Sequence, residues 1–443
     1  FGGLHVNAQL PVSPSEALDI KKLTLNTVEK SRLAYAVNPE LKGLSAVELS
    51  RIDTIVKQSI AQKAMPGCQV LIIKDSAVVY NKSFGYHRYS KFSPVKDSAL
   101  YDIASMTKVA ATLQGVMQLY SQGKLDLGAT LKEYLPEVKG SNKENLVLQE
   151  ILAHQAGLQA FLSHWTYTLE TPQKNFFYYS KAKDSTHTVQ IADSLFTRAD
   201  TKDSVWKWTV SSKLMNKKDS CFSYKYSDIG FYIFQKIVEK GMGKSLLQFT
   251  DSLYKSLGMF STAYLPLRKF PKSSIAPSEW DKDFRGREIW GYVNDEGASM
   301  YGGVAGHAGV FSTANDMAIL FQMNLQNGYY GYKRYFEPKV LEYFRMRHYI
   351  NNRRGLGWDK PEWTGGGPTS VFSSQRTFGH SGFTGTCVWI DPKYNLIYIF
   401  LSNRTYPDAE NKALVINNIR TKIHDVIYQS LMTPTQKQEL KVK

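Results

Sequence analysis

Leu100-Tyr-Asp-Ile-Ala-Ser-Met-Thr-Lys-Val-Ala-Ala-Thr-Leu-Gln-Gly-Val-Met117 is the stretch on which the fold reading turns. Leu100–Ile103 is strand-like. Behind it, small and apolar residues (Val109, Ala110, Ala111, Leu113, Val116, Met117) recur at helical spacing up to Gly123. Ser105 stands at the first turn of that helix, where a backbone amide points outward in a positive field that stabilises an oxyanion. Lys108, three residues on, shares the helix face and can reach the Ser105 hydroxyl. Packed among apolar side chains, this lysine is expected to lose proton affinity and help the hydroxyl attack.

Ser-x-x-Lys is a weak string by itself, since six begin in this chain, at Ser93, Ser105, Ser121, Ser180, Ser204 and Ser252. Position separates them. Ser93 precedes a proline, Ser121 lies where a helix is ending, Ser180 is in a Lys-rich stretch and Ser204 has no small-residue helix after it. Ser252 could sit on a helix, but only Ser105 has both a strand-like approach and a well-patterned helix behind.

Outward from this centre, Ala46–Ala64 carries apolar residues near helical period and is stopped by Pro66-Gly67. Gln69–Ile73 and Ala77–Tyr80 flank Lys74-Asp75-Ser76 as a hairpin, and Thr386–Ile390 and Leu396–Leu401 form a second one around Asp391–Asn395. A last amphipathic helix presents Val415, Ile419, Ile423, Val426 and Ile427. Strands at both ends with helices between them predict an α+β fold: one antiparallel sheet made from the two chain ends, flanked by helices, with a helical lobe inserted. The expected layout is a linker over 1–45, a sheet lobe over about 46–104 and 370–430, a helical lobe over about 105–369, and a polar tail over 431–443. The first residue is Phe1, without the basic and apolar regions of a signal peptide, and reads as the start of a mature chain or of a domain cut from something longer.

The composition is globular, 43% hydrophobic and 21% charged over 443 residues. The longest strongly apolar run, near Leu396–Leu401, is far short of the roughly 20 residues that span a bilayer, so no transmembrane segment is expected. The net charge of +16 is spread along the chain without long like-charge blocks, and no nucleic-acid motif accompanies it; it reads as a solvated basic surface. Three scattered cysteines (Cys68, Cys221, Cys387) and nine histidines without an HExxH predict neither a disulfide framework, nor a metal, nor any cofactor.

Two further motifs could carry chemistry. Tyr226-Ser227-Asp228 offers a tyrosine that can act as a base only if cations depress its pKa from about 10. Gly379-His380-Ser381-Gly382-Phe383-Thr384-Gly385-Thr386 opens a strand with small residues, which lets a substrate backbone approach and could supply a second oxyanion amide. It is not a nucleophile elbow, because Phe383 stands where that frame needs glycine.

In this order, Ser105-x-x-Lys108, Tyr226-Ser-Asp228 and His380-Ser-Gly382 resemble the serine hydrolases related to class C β-lactamases and penicillin-binding proteins. Leu152-Ala-His-Gln-Ala-Gly-Leu158, Gly302–Ser312 and Leu401-Ser-Asn-Arg404 extend the likeness to about residues 46–430. Phe1-Gly-Gly, Leu10-Pro-Val-Ser13, Ala276–Asp281 and Val293–Glu296 are similar to a subgroup in which this domain follows a family 3 glycoside hydrolase of the β-N-acetylhexosaminidase kind on one polypeptide. The resemblance implies a β-lactamase/transpeptidase-like fold and an acyl-enzyme on Ser105. Lys108 and Tyr226 would move the proton, with the choice of base left open. The amides of Ser105 and Phe383 would form the oxyanion hole, and Asp228, His380, Ser381 and Gly382 would bind substrate. The expected substrate is an amide, peptide or ester, derived from cell-wall D-amino-acid peptides or muropeptides, in the periplasm or cell envelope. A β-lactamase or DD-carboxypeptidase proper, and a non-hydrolytic peptidoglycan sensor, are the alternatives.

Two positions depart from the family's pattern. His380 replaces the lysine that supplies a permanent cation for a substrate carboxylate. With an ordinary pKa near 6.5 it is expected to be mostly neutral, with activity falling below that pH, and this favours esterase-like or D-aminopeptidase-like members. Asp228 replaces a common asparagine and is expected to raise the Tyr226 pKa. The aromatic, Lys-rich stretch from Phe161 to Lys218 reads as an insertion that could roof the site.

Overall fold

The computed structural model describes residues 32–218 and 221–431. Five strands make its main sheet: β1 (Gly67–Lys74), β2 (Ala77–Gly85), β3 (Phe378–Ser381), β4 (Cys387–Asp391) and β5 (Leu396–Ser402). Their order is β3-β4-β5-β1-β2, antiparallel throughout, so the two chain ends pair in the middle, with Val70 opposite Phe400 and Ile72 opposite Tyr398. The hairpin between β1 and β2 turns on Asp75 and Ser76, with φ of 49° and 60°, the left-handed pair that matches the twist of the flanking strands.

Both faces of this sheet are covered, which is why its strands read as continuous apolar runs and not as alternating ones. On one face Cys68, Val70, Ile72, Trp389, Tyr398 and Phe400 pack against helices α1 (Arg51–Ala61) and α5 (Ile419–Leu431). On the other, Leu71, Ile73, Val388, Ile390, Ile397, Ile399 and Leu401 join the larger core with α2 (Leu113–Ser121), α3 (Ile229–Met242) and α4 (Ala314–Leu325). Helix α4, placed by sequence within the helical lobe, lies directly on the sheet through β1 and β5. The larger core therefore runs unbroken from the sheet into the helices.

The stretch from Phe161 to Lys218 is not a roof over its whole length. Residues 161–163 and Trp165 reach the cleft, whereas Val205, Trp206 and Trp208 pack with Tyr232, Val293, Ala298 and Met300. Trp206 and Trp208 are consumed in a small core of their own, whereas Phe161, Tyr167, Phe176 and Phe177 stay exposed.

The residues Phe1–Ser13, read as the end of a preceding domain, and the polar tail from 432 onward lie outside the described residues. Ile399 is fully buried in the centre of the sheet's helix-facing side. Ile399→Ala should lower unfolding free energy by about 2–5 kcal/mol, read as a lower urea midpoint with an unchanged denaturant slope.

Candidate active site

The approach to Ser105 is pinned from two sides. Asp102, in a short strand paired with Val310–Ser312, accepts hydrogen bonds from the Ala104 amide (2.8 Å) and from the Asn294 amide (2.7 Å). Ala104 takes a left-handed φ of 46°, an unusual conformation for a residue with a Cβ and one that its neighbours must hold in place. The chain then winds as a 3₁₀ turn (Ala104–Met106), a π turn (Lys108–Thr112) and finally α2. The π turn is a rare conformation and is frequently found at functional sites.

This winding buries Lys108 completely and brings its Nζ to two hydrogen-bond acceptors and one ion-pair partner, Asp228. They are Ser105 Oγ at 2.9 Å, Asp228 Oδ1 at 2.6 Å and the His307 carbonyl at 3.2 Å. An ammonium has three protons and no lone pair, so in this arrangement Lys108 donates to the serine. Burial alone would push its pKa down, but the Asp228 carboxylate reverses the sign and leaves it raised. The expectation that apolar packing makes Lys108 a poor holder of its proton is therefore corrected. The environment is apolar only on the helix side, and Asp228, expected from the sequence to bind substrate, lines the cleft and also pairs with the lysine. His307 is itself held, its Nε2 lying 2.9 Å from Asp295 Oδ1.

Tyr226 and Asp228 arrive on the turn that starts α3. Ser227 between them accepts from the Ile229 amide and donates to the Gln159 carbonyl, and its own amide donates to His154 Nδ1. The middle serine of the motif thus builds the turn. Tyr226 packs on the His154 ring at 4.7 Å, and its hydroxyl is buried without a hydrogen bond of good geometry. Burial raises the phenol's pKa; Lys108 pulls it down, Asp228 pushes it up again, and the balance stays above the ordinary value. Tyr226 is a phenol here, and the cations beside it do not win.

The third motif lies on β3, an edge of the sheet. Asp359 covers the edge at Gly379 through a pair of backbone hydrogen bonds, and beyond it Ser381 borders the cleft. Thr384 Oγ1 and Thr386 Oγ1 donate to the Asp102 and Ile103 carbonyls, which straps the turn after β3 to the approach of Ser105. Gly382 is required by that contact, since a Cβ there would lie 2.2 Å from Thr386 Oγ1 and 2.5 Å from the Ile103 carbonyl. The turn's own bonds run from Gly382 N to Thr386 O and from Gly385 N to Gly382 O, and leave the Phe383 amide out.

His380 is buried. Its Nδ1 lies 2.7 Å from the Ser381 carbonyl and its Nε2 3.4 Å from Arg354 Nη1, so the proton sits on Nδ1 and the lone pair faces the guanidinium. Burial, then the positive charges of Arg354 and Lys108, lower its pKa to about 3. The expectation that His380 gains its proton near pH 6.5 is corrected accordingly, because burial first, and then the charges of Arg354 and Lys108, hold this imidazole neutral.

The structure brings Ser105, Lys108, Tyr226, Asp228, His380, Ser381, Gly382 and Phe383 to one open cleft of about 800 Å³, or to its wall. The exposed rings of Phe161, Trp280 and Phe383 border it. Sequence reading missed Arg353, Arg354 and Asp359, which sit in a loop with no recognisable spacing, and it gave no role to His154, His307 and Asp295, which lie in segments that carry the resemblance. Among the described residues, no group of three or more His, Cys, Asp or Glu is placed to hold a metal ion.

Protonation of His380 is opposed down to about pH 3, whereas an unfolded histidine binds its proton below about 6.5. Through that window the unfolded chain holds the extra proton, so this group's contribution to stability falls as pH drops. The His380 imidazole carbon shifts should stay constant by NMR from pH 8 to 4.5; a titration centred near 6.5 would contradict the assigned contacts.

A family model described as Beta-lactamase matches residues 52–420. The chain is 31% identical to an N-acetylmuramyl-L-alanine amidase of Bacillus subtilis over 402 residues, covering 84% of each. It is 30% identical over 404 residues to a Salmonella typhimurium protein with the provisional name D-alanyl-D-alanine carboxypeptidase, covering 84% of this chain and 87% of the other. Among solved structures it is similar to EstCE1, a hydrolase with promiscuous acyltransferase activity, with a TM-score of 0.62, 19% identity and coverage of 86% and 99%. That likeness shows the fold. The chain belongs to the β-lactamase family and is a serine hydrolase with the fold of penicillin-binding proteins and class C β-lactamases.

Proposed function

We propose that this chain cleaves an amide or ester bond in cell-wall-derived peptides or muropeptides through an acyl-enzyme on Ser105. The observation that carries the reading is the Ser105 hydroxyl, partly buried in the wall of an open cleft, 2.9 Å from a buried ammonium that pairs with Asp228. The names of the amidase and carboxypeptidase relatives support the substrate class. The setting in the cell envelope, and a glycoside hydrolase ahead of this domain on a longer polypeptide, belong to the same proposal and rest on the likeness of residues 1–13 and of the 276–296 loops to that subgroup.

In this reading Lys108 passes one proton to Asp228 as it takes the proton of Ser105, so the ammonium is preserved and the carboxylate becomes an acid. The Ser105 oxygen attacks the carbonyl, and the amides of Ser105 and Phe383 receive the oxyanion. The Tyr226 phenol, protonated and unpartnered in the free enzyme, gives its proton to the leaving group and recovers one from Asp228 through Lys108. The β3 edge at Ser381 aligns the substrate backbone by sheet-like hydrogen bonds. Water then releases the acyl group by the reverse proton path.

Ser105→Ala should abolish turnover of an N-acetylmuramyl-L-alanine peptide or a D-Ala-D-Ala peptide while leaving the unfolding curve unchanged. Intact-mass spectrometry with a fluorophosphonate should show one adduct on the native chain and none on Ser105→Ala. A penicillin adduct lost in the same variant would move the reading to a DD-peptidase proper, and failure of both reagents to react would point to a non-hydrolytic sensor. Tyr226→Phe should lower kcat by about two to four orders of magnitude; a loss under about threefold would remove it from proton transfer.

A further inference from the structure

We propose that this chain has a second binding site, separate from the Ser105 cleft, that takes a small amphipathic anion: a carboxylate carried on an aliphatic chain. The proposal does not depend on the hydrolase reading, and it gives part of the 161–218 stretch a use other than roofing the cleft.

The site is a cavity of about 590 Å³, walled by residues 188–202 of that stretch, by one face of α3 and by the segments 265–268 and 300–304. It shares no lining residue with the cleft. Small-molecule sites occupy roughly 300–1,000 Å³ and are mostly apolar with a few placed charges. The deep lining here is apolar: Met300 is buried, and Leu247, Leu265, Leu267 and Val304 are half-buried with the cavity in front of them. A narrow recess of about 20 Å³ adjoins it at Leu265, Gly291 and Tyr292 and ends among Val293, Gly309 and Phe311. Leu265 stands just before Pro266 with a left-handed φ of 50°, a strained conformation for leucine and of the kind that clusters at ligand clamps.

The charge at this cavity is positive and unmatched. Lys202, Lys236 and Arg268 line it, and among the described residues none of the three has a hydrogen bond or an ion pair. Lys236 is half-buried, its Nζ 5.5 Å from the centre of the Trp206 ring and 5.9 Å from that of Tyr301. Two aromatic faces thus hold an ammonium whose protons have no acceptor. A further cation, Arg198, is matched by Asp200. The one carboxylate of the lining, Glu239, already accepts from Gln235 Nε2 and from the Leu246 amide. Three free cations therefore face one engaged carboxylate, which favours an incoming anion. The polar groups beneath are spent: Gln235 also donates to the Val304 carbonyl and accepts from the Gly306 amide, and the Tyr292 hydroxyl donates to Asp193. A sugar or peptide would strand hydroxyls or amides against the leucines, a cost that an aliphatic chain avoids.

The test is titration calorimetry on the full chain with octanoate, with 1-octanol, which keeps the chain, and with acetate, which keeps the charge. Octanoate should bind one-to-one and about tenfold or more tighter than either, since each control lacks one of the two attractions. Arg268→Gln, at an exposed side chain, and Lys236→Met, which keeps the packing on the two rings, should each weaken octanoate about fivefold or more and leave 1-octanol unchanged. Phe161→Ala and Trp280→Ala, at the border of the cleft, should leave octanoate affinity as it is. Absence of octanoate binding, 1-octanol binding as tightly, or weaker octanoate binding in the two cleft variants alone would overturn the proposal. Capture of the chain by phosphatidylglycerol vesicles without octanoate binding would also overturn it, and would assign the three cations to a lipid surface. Because no arm reads turnover, failure here leaves the hydrolase reading standing, and an inactive Ser105 leaves this site standing.

Discussion

A fully buried ammonium is the constraint around which this molecule is arranged. Removing Lys108 from water is costly unless its charge is paired and hydrogen-bonded, and three separate parts of the chain meet that demand. The turn at Ser105 supplies a hydroxyl, the start of α3 supplies the Asp228 carboxylate, and the 302–310 stretch supplies the His307 carbonyl. Each of these segments must then be held in turn. Ser227 and His154 brace the Asp228 turn, Asp102 ties Ala104 to Asn294, and Asp295 holds His307. The same network that makes the charge tolerable also sets the serine, the lysine and the tyrosine side by side.

The sheet contributes an edge and a strap. Antiparallel pairing of the two chain ends puts β3 on the outside, and the threonines after it fasten that edge to the backbone just ahead of Ser105. Gly382 permits the approach because no Cβ fits between the two segments. Beside the third motif, Arg354 faces the His380 Nε2 and shares Asp359 with Arg353.

Much of this was legible in the residues alone. The strand runs at 69–73 and 396–401, the turn at Asp75-Ser76 and the apolar helix after Ser105 all follow from periodicity and local conformational preference, which short segments express by themselves. The ordered motifs placed the family. The same reading misjudged Lys108, because the pKa of a buried lysine depends on what faces it, and Asp228 is 120 residues away in the chain. It overextended the roof at 161–218, because hydrophobic content says that a segment packs but not against what.

The sequence by itself determined the strand and helix segments and the identity of the motif residues, since these depend on neighbours a few positions apart. Only the tertiary structure decided the charge states. Lys108 stays an ammonium, Tyr226 a phenol and His380 a neutral imidazole with its proton on Nδ1, each through partners distant in the chain. Arg354 belongs to that second class. Nothing in Asn352-Arg-Arg-Gly355 distinguishes it from a solvated loop, and its contact with His380 exists only because the loop is pinned between the Ala153 carbonyl and β3. Electrostatic interactions act through space in a medium shaped by burial, so they become readable when the chain has been folded around them.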